Sequence, residues 1–304
     1  MLDQFHAPVL LGEISRLAKP RRRAVDCTAG GGGHAAALAE AGLQVLAFDR
    51  DLDAVEAASR RLAPLGATVT VGKFGDEQVQ ERISAFRPDL ILLDLGVSSH
   101  QLDDEGRGFS FRQAVPLDMR MDRSEGRTAA ELLNSVGEQE LAGIFTEYGD
   151  ERRGRRLARE IVRRRKTVQF ATSDHLVGAV RAVLGPRSGP PDFARIFQAV
   201  RIAVNEELSQ LNSALPKLRD ALEPGGVIAV ISYHSGEDRL VKRAFAEWAR
   251  ECVCPPHQPL CTCRGEALGS VETRKPIVAG PDEVAANVRA RSAKLRVFRR
   301  GNDG

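Results

Sequence analysis

Short apolar runs alternate with amphipathic segments in the N-terminal part of the chain. The apolar runs predict four buried strands, at 24–28, 44–48, 68–71 and 90–94. The segments between them repeat apolar residues with a helical period and predict helices at 34–41, 51–63 and 76–85. Near-continuous apolar strands that alternate with helices are typical of a parallel sheet covered on both faces. This order predicts an α/β fold, a Rossmann-like doubly wound and mostly parallel sheet, whose ligand lies beyond the carboxyl ends of the strands.

The alternation stops after the fourth strand. From 104 to 205 the sequence favours only helices, at 128–135, 137–148, 152–165, 173–184 and 194–215. It resumes after a turn at 223–226, and then predicts a strand at 227–231, a helix at 238–250 and two closing strands near 271–279 and 294–299. We therefore expect a discontinuous domain made of 1–103 and 206–304, with a helical substrate-recognition domain, 104–205, inserted into it.

The composition is that of an ordinary globular protein. Of the 304 residues, 42% are hydrophobic, which is enough for the core of one large or two modest domains, and the net charge is +3. No apolar run reaches 18 residues. The N-terminus carries Asp3, His6 and Glu13 instead of the basic and then apolar pattern of a secretory signal. We interpret the sequence as that of a cytoplasmic protein without a membrane partner.

Four consecutive glycines separate the first predicted strand from the first predicted helix of the sheet. Glycine has no Cβ, so this turn lets the backbone pass close to a small ligand, and the start of the helix offers free N–H groups. Gly30, Gly32 and Ala35 fit the dinucleotide fingerprint, which leaves nicotinamide and S-adenosylmethionine as alternatives. Asp49 follows the second strand, 19 residues after Gly30, where an acid binds a ribose diol in such folds.

A second group of polar residues follows the fourth strand. Asp94, Ser98, Ser99 and Gln101 leave the sheet at the same edge as the glycine turn and would line a cleft shared with the cofactor; an ordinary polar loop is the alternative. No cysteine follows this strand, so a covalent attack on a pyrimidine ring is not favoured. Methyl transfer to an exocyclic nitrogen or an oxygen needs only alignment and charge stabilisation. Asp94 and Ser98 are the candidate catalytic residues, and Asp94 could either position the target amine or contact the cofactor.

Residues 152–166 carry nine basic side chains and a single acid, Glu160. Leu157 and Ile161 lie one helical turn apart, so one face can dock while the other stays cationic. Such a density of positive charge favours a polyanion over a merely solvated face. The predicted RNA-binding residues are Arg152, Arg153, Arg155, Arg156, Arg163, Arg164, Arg165 and Lys166. By contrast, Phe109, Met119 and Met121 are expected to pack rather than to react.

Four of the five cysteines crowd into one short segment, Cys252-x-Cys254-x6-Cys261-x-Cys263, with His257 between the pairs. This is not the spread-out pattern of a disulfide framework. Four thiolates so close together could hold zinc tetrahedrally, but paired C-x-C spacing is less usual than C-x-x-C. A reduced loop without metal is the other interpretation, and no metal is required for the predicted chemistry.

Several longer motifs occur in a fixed order along the whole chain. They include Asp26-x-Thr28-x-Gly30-x-Gly32-Gly33-His34, Phe48-Asp49-Arg50-Asp51, Leu92-Leu93-Asp94-Leu95-Gly96-Val97-Ser98-Ser99, Pro116-Leu117-Asp118-Met119-Arg120-Met121-Asp122, Phe197-Gln198-Ala199-Val200-Arg201 and Ser232-Tyr233-His234-Ser235. In these motifs the chain resembles the bacterial small-subunit ribosomal RNA cytosine-N4 methyltransferases of the RsmH or MraW type. It differs at Tyr233, where phenylalanine is common in that family, and at Gly236, where leucine is.

The resemblance implies a class I methyltransferase that uses S-adenosyl-L-methionine to methylate N4 of a specific cytidine in the decoding region of small-subunit (16S) ribosomal RNA. By motif, it implies that the cofactor is bound by Gly32, Gly33, His34, Asp49, Phe74, Asp94 and Gln101. Phe74 follows the third strand, where an aromatic ring can stack on adenine. The implied partner is the small-subunit RNA, free or in the assembled subunit, and monomer and homodimer both remain open.

Three other functions remain as alternatives. A nicotinamide-dependent dehydrogenase is favoured only by the glycine fingerprint. An amino-methyltransferase acting on DNA or another RNA would use the same fold, although no Asp/Asn-Pro-Pro-Tyr/Phe motif follows the fourth strand. A non-enzymatic RNA-binding assembly factor could keep the cofactor pocket for folding alone.

Overall fold

A computed structural model describes residues 8–98, 101–102, 104–256, 258 and 260–302. Seven strands form one sheet among these described residues. The strands are β1 (Arg23–Asp26), β2 (Gln44–Asp49), β3 (Thr68–Val71), β4 (Leu90–Asp94), β5 (Val227–Ser232), β6 (Gly269–Val271) and β7 (Lys294–Arg300).

Helices occupy most of the remaining described chain. The α-helices are α1 (Leu11–Ala18), α2 (Gly33–Glu40), α3 (Leu52–Leu62), α4 (Glu77–Phe86), α5 (Ala129–Ser135), α6 (Glu138–Gly143), α7 (Gly154–Arg164), α8 (Ser173–Leu184), α9 (Pro190–Asn205), α10 (Glu207–Ala221), α11 (Ser235–Trp248) and α12 (Pro281–Ala286). Short 3₁₀ helices span Ala63–Leu65, Glu105–Arg107 and Val288–Ser292, and a π-helix spans Ile144–Tyr148. Within the described ranges no helix is both long and apolar enough to cross a membrane.

The sheet has the order β3-β2-β1-β4-β5-β7-β6. The first five strands in this order are parallel, and β7 runs antiparallel to both of its neighbours, β5 and β6. The predicted α/β fold with a mostly parallel sheet is therefore confirmed. Both faces are covered, because Ala24, Leu90 and Leu92 belong to one apolar cluster and Val25, Ile91 and Leu93 to another. This explains why these strands read as continuous apolar runs.

The sixth strand differs from the prediction. It was expected near 271–279, but β6 ends at Val271, and beyond it only an isolated bridge joins Ile277 to Leu295. Between these points the Thr273 hydroxyl, in place of a backbone carbonyl, accepts a hydrogen bond from the N–H of Val297 at 2.9 Å. Pro276 has no N–H to give to a ladder. The edge of the sheet is therefore interrupted where continuous pairing was predicted.

The prediction of a single helix over 194–215 is wrong, because two helices, α9 and α10, occupy this range. Glu206 has a φ of 52°, in the left-handed region, and separates α9 from α10. The preceding residue, Asn205, accepts a hydrogen bond from the N–H of Met121 at 2.8 Å and donates to the carbonyl of Met119 at 2.7 Å. These long-range bonds hold the end of α9 in place, and a helical period cannot reveal them.

The chain divides by its contacts into two compact units, one made of Met1–Gly96 with Leu208–Gly304 and the other of Val97–Glu207. The first unit contains the sheet. The second unit is mostly helical and has its own core, which includes Phe109, Met119 and Met121, so these residues do pack. Arg107 is fully buried in it and donates to the carbonyls of Arg120 and Met121.

Candidate active site

Three acidic residues come together at one edge of the sheet because three adjacent parallel strands end there. Asp26 ends β1, Asp49 ends β2 and Asp94 ends β4, and β1 lies between the other two strands. Thr28 connects two of these ends. Its N–H donates to Asp26 Oδ1 at 3.1 Å, and its hydroxyl accepts the N–H of Asp94 at 2.6 Å. The carboxylates are thus fixed by the backbone geometry of the strand ends.

The glycine turn runs beside Asp49. The N–H of Gly30 donates to Asp49 Oδ2 at 2.8 Å, and the N–H of Asp51 donates to Oδ1 of the same carboxylate at 2.9 Å. Gly30 and Gly32 have φ values of 51° and 76°, a conformation that side chains disfavour. A Cβ on Gly33 would come within 2.6 Å of Pro8 Cγ. The turn therefore requires glycines, and α2 begins directly after it.

Asp94 is the centre of a polar chain. The Tyr233 hydroxyl, just beyond β5, donates to Asp94 Oδ1 at 2.8 Å. On the other side, His34 Nε2 in the first turn of α2 lies 3.5 Å from Asp94 Oδ2, an ion-pair distance longer than a good hydrogen bond. His34 is buried, and its Nδ1 has no hydrogen-bond partner within the described part of the chain. Two residues, one after β5 and one in α2, thus converge on the carboxylate at the end of β4.

Burial and the Asp94 carboxylate shift the pKa values of His34 and Tyr233. Burial opposes protonation of His34, but the nearby Asp94 carboxylate, with smaller contributions from Asp26 and Glu283, outweighs it and raises the pKa of His34 above its ordinary value. Burial and the charge of Asp94 also raise the pKa of Tyr233 far above its ordinary range. Tyr233 is therefore a neutral donor at any physiological pH. His34 can carry a proton next to the Asp94 carboxylate.

Asp26 is a buried acid and Asp49 a half-buried one. Burial raises the pKa of Asp26 to about 6, although His34 and the N–H of Thr28 act in the opposite direction. Asp26 Oδ2 has no hydrogen-bond partner among the described residues. Burial likewise raises the pKa of Asp49, against the N–H groups of Asp51 and Gly30. Perturbed pKa values are frequent at functional sites, because catalytic and binding groups need pKa values matched to their task.

The segment after β5 holds Tyr233 in position. The Glu237 carboxylate accepts the N–H of Tyr233 at 2.9 Å, and His234 Nδ1 accepts the N–H of Gly236 at 3.2 Å, so the start of α11 is capped. A Cβ on Gly236 would lie 3.1 Å from the His234 ring, so the turn is close at this position. The Tyr233 ring also lies against the chain at Gly96, where a Cβ would be 3.4 Å from Tyr233 Cδ2.

The sequence did not single out Asp26, Thr28 or Tyr233 as site residues. Tyr233 could have been found, because it follows the predicted strand β5. If β4 and β5 are parallel neighbours, the residues after β5 lie at the same edge of the sheet as Asp94. The pairing of β4 with β5 was not readable from the sequence, since the 102-residue stretch 104–205 separates the two strands in the prediction. For Asp26 the signal was an acid at the end of an apolar strand.

The remaining predicted cofactor and catalytic residues fall in different places. Phe74 follows β3 and packs, half-buried, against the core of the first unit. Ser98 and Gln101 lie in the second unit, where the Ser98 N–H donates to Gln101 Oε1 at 3.0 Å and the Gln101 N–H to Ser98 Oγ at 3.2 Å. Ser99 and His257 lie outside the described residues.

The basic segment forms α7 and the turns on either side of it. Leu157, Ala158 and Ile161 bury one face of the helix. Four of the eight predicted RNA-binding residues have partners inside the second unit. Arg163 and Arg164 pair with Glu160 at 2.7 Å, Arg153 donates to the carbonyl of Val183, and Arg165 donates to those of Leu133 and Val136. The other four are exposed, with no side-chain partner in the described ranges: Arg152, Arg155, Arg156 and Lys166.

The strand order, the antiparallel β7 and the glycine turn at the carboxyl edge of β1 define a class I methyltransferase, a class whose cofactor is S-adenosylmethionine. Within that class, a model of the MraW methylase family matches residues 3–301, and the chain belongs to this family. The resemblance identified in the sequence is therefore confirmed.

Curated relatives cover nearly the whole chain. A protein of Gemmatimonas aurantiaca named ribosomal RNA small subunit methyltransferase H is 56% identical, over 97% of this chain and 95% of its own length. A protein of the same name from Symbiobacterium thermophilum is 45% identical, over 96% and 95%. Among solved structures, an rRNA methylase from Streptococcus thermophilus covers 96% of this chain and 94% of its own, with 11% identity and a TM-score of 0.38, too low to support a conclusion about this chain.

Proposed function

We propose that this protein transfers a methyl group from S-adenosyl-L-methionine to N4 of a cytidine in the decoding region of small-subunit ribosomal RNA, in the cytoplasm. The main support is the Asp94 carboxylate, which Tyr233 and His34 hold at the carboxyl edge of the sheet. The name of the curated relatives gives the same substrate class. The dehydrogenase alternative loses its support, because the family is one of methylases.

The residues at the edge of the sheet fit the cofactor. A Cβ added to Gly30 would meet no atom within 4 Å, so there is open space beside the glycine turn at this residue. In the proposal Gly32, Gly33 and His34 border the methionine part, Asp49 accepts the ribose hydroxyls and Phe74 stacks on adenine. Gln101 stays a predicted cofactor contact by its motif. When bound, the cofactor supplies an electrophilic methyl group on a sulfonium. The unpartnered Asp26 Oδ2 and His34 Nδ1 are buried polar atoms that a ligand or its water could satisfy.

Asp94 is the proposed catalytic residue. Cytosine N4 is a poor nucleophile because its lone pair is delocalised into the ring. A carboxylate that accepts an N–H bond from this amine favours the pyramidal geometry and stabilises the positive charge that develops during transfer. Tyr233 uses only one lone pair of Asp94 Oδ1, so this carboxylate can still accept from the base. Ser98 is the second candidate for aligning the amine.

His34 is proposed to stabilise this carboxylate electrostatically. Its pKa is raised, and its Nε2 faces Asp94 Oδ2. After transfer, the methylated amine must lose a proton. Asp94 is placed to accept it, and His34 to stabilise the pair electrostatically. No covalent intermediate is needed. Cys27, the cysteine next to the glycine turn, is buried in an apolar cluster and is not placed to act as a nucleophile.

The basic face of α7 is the proposed RNA contact. Arg155 and Arg156 are in the first turn of the helix, where the helix dipole disfavours cations, and no acid accompanies them there. Phosphates would relieve this repulsion. The target base must leave its stack to reach the carboxylate, as other base-modifying enzymes require. The substrate is proposed to be small-subunit RNA, and the test below separates free RNA from the assembled subunit.

The test is methyl transfer by purified protein. Small-subunit RNA and assembled small subunits are prepared from cells that lack the gene, and each is incubated with labelled S-adenosylmethionine. Nuclease digestion and mass spectrometry then identify the methylated nucleoside and its position. We expect N4-methylcytidine in the decoding region with wild-type protein and not with Asp94→Ala. A full complement of N4-methylcytidine in RNA from the deletion cells, or no transfer to either substrate, would contradict the proposed function, and the latter would favour an assembly factor.

A further inference from the structure

Four cysteine sulfurs converge in the loop between α11 and β6, away from the residues assigned above to methyl transfer. The Sγ atoms of Cys252, Cys254, Cys261 and Cys263 all lie within 4.8 Å of one another. The two C-x-C pairs are separated by six residues along the chain, so the loop must fold back on itself to bring them together. The cluster is partly exposed, and no part of the proposed methyl transfer uses it.

The distances between the sulfurs are those of a single tetrahedral ion. Zinc holds thiolates at about 2.3 Å, which places two sulfurs of a tetrahedron about 3.8 Å apart. Cys261 Sγ lies 3.9 Å from Cys252 Sγ, 3.9 Å from Cys254 Sγ and 3.4 Å from Cys263 Sγ. Cys263 Sγ is also 3.9 Å from Cys252 Sγ. The four atoms therefore surround one common centre.

Two disulfides describe this arrangement less well. A disulfide brings two sulfurs to about 2.05 Å and leaves each pair independent of the other. Here the Sγ–Sγ distances given above are 3.4 to 3.9 Å, all far longer than a disulfide bond. A reduced loop without metal also explains the cluster less well. Thiols are weak hydrogen-bond donors, so contacts between uncoordinated sulfurs contribute little to the stability of the loop.

Backbone N–H groups point at the sulfurs as they do in thiolate sites. The N–H of Val253 donates to Cys263 Sγ at 3.3 Å, and the N–H of Thr262 donates to Cys254 Sγ at 3.4 Å. Such bonds stabilise a thiolate and orient its lone pairs, the usual outer support of metal ligands. Each bond joins one C-x-C pair to the other, so the two halves of the cluster are held together.

The base of the loop is closed by other contacts. Arg264 donates to the carboxylate of Glu247 at 2.9 Å and to the carbonyl of Arg250 at 3.1 Å, near the end of α11. The N–H of Leu268 donates to the carbonyl of Trp248 at 2.8 Å. These contacts fix both ends of the loop, and β6 follows directly. A metal ion would fix its exposed tip, which has little apolar packing of its own, since Leu260 is 78% exposed.

We propose that Cys252, Cys254, Cys261 and Cys263 bind one structural zinc ion that orders the loop leading into β6. The ion has four protein ligands and no open position, so it takes no part in methyl transfer. The site is independent of the proposed function and would hold for any activity of the first unit.

The test measures metal in untagged full-length protein, expressed in zinc-supplemented medium and purified under reducing conditions. Plasma mass spectrometry is expected to find about one zinc per chain. The double variant Cys254→Ser/Cys261→Ser should lose zinc by at least about tenfold. Cys27→Ala is the matched control, since this buried cysteine lies in the core of the first unit, and it should keep its zinc.

A second measurement guards against a variant that does not fold. Wild-type protein stripped of metal with a chelator is titrated with Co²⁺, and tetrahedral thiolate coordination is expected to give its charge-transfer and visible bands. Trypsin should cleave after Arg264 faster in the stripped protein, and zinc should restore protection. Wild-type protein that contains no zinc, gives no cobalt bands, carries iron instead, or shows two disulfides by mass spectrometry under reducing purification would overturn the proposal.

Discussion

The Tyr233 hydroxyl donates a 2.8 Å hydrogen bond to Asp94 Oδ1, although 139 positions separate the two residues in the chain. The bond exists because β4 and β5 are paired neighbours in the sheet and both residues lie at their carboxyl ends. It fixes the orientation of the carboxylate that we propose as catalytic. Its removal is therefore the most direct test of whether that orientation matters.

Tyr233→Phe is expected to lower kcat about 10- to 150-fold, because a hydrogen bond to a charged group contributes about 1.5 to 3 kcal/mol. The affinity for S-adenosylmethionine should change little. Single-turnover methylation of small-subunit RNA measures the first quantity, and calorimetry the second. In an Asp94→Asn background the same substitution should have a much smaller effect, since the two residues act as a pair. Equal effects in both backgrounds would show that Tyr233 acts independently of Asp94.

Asp94→Asn is expected to lower kcat by at least about a hundredfold, in the range found when a charge-stabilising group is removed. The pKa of His34 should fall, because Asp94 is the largest of the influences that raise it against burial. NMR titration of the His34 ring measures the shift. Glu56→Gln, on the exposed face of α3, is the control and should leave both quantities as they are. An unchanged His34 titration would mean that Asp94 does not interact with this ring.

Asp26→Asn is expected to stabilise the protein at neutral pH. The folded pKa of Asp26, about 6, lies above its ordinary value of 3.8, so the wild type is favoured below the ordinary value and loses stability as pH rises through about 6. Asparagine does not ionise and avoids this loss, which is at most about 3 kcal/mol for a shift of about two pH units. Urea unfolding at several pH values measures it. A difference between variant and wild type that does not grow between about pH 4 and 7 would refute this account of Asp26.

Gly30→Ala should weaken S-adenosylmethionine binding. Gly30 has a positive φ, and a Cβ there would point into open space on the side assigned to the cofactor. Gly42→Ala is the matched control, because Gly42 also has a positive φ, 90°, with nothing within 4 Å, and it follows the far end of α2. Both variants should lose about 1 kcal/mol of stability from backbone strain. Only Gly30→Ala should lose affinity by calorimetry, and equal affinities in the two variants would remove the glycine turn from the cofactor site.

Arg155→Ala/Arg156→Ala should weaken RNA binding and reduce the slope of log affinity against log salt by about 2, as expected for two lost phosphate contacts. These side chains are exposed, and neither pairs with another side chain in the described ranges. Arg60→Ala, an exposed arginine of α3, is the control and should leave the slope unchanged. Filter binding at several salt concentrations measures it. An unaltered slope in the double variant would exclude this face of α7 as an RNA contact.

The local pattern of apolar residues was sufficient to predict most strands of the sheet. Thr68–Val71 and Leu90–Asp94 were predicted at their observed bounds, because short apolar runs flanked by turns leave few alternatives. It was insufficient where the backbone depends on distant partners. The interruption beyond β6 depends on Thr273 and Val297, and the break between α9 and α10 accompanies bonds from Asn205 to the backbone at Met119 and Met121. Neither contact leaves a periodic signal.

Sequence alone was enough for the α/β class, the glycine turn, the places of Asp49 and Asp94 at strand ends, and the family, because each depends on residues that are close together in the chain or on ordered motifs. Only the tertiary structure decided which groups face one another. It places Tyr233 and His34 next to Asp94 and buries Asp26, which raises the pKa of Asp26. It also gives four of the eight predicted RNA-binding residues partners within the protein. The physical reason is that hydrogen bonds, burial and charge depend on distance in space, and the sequence specifies only distance along the chain.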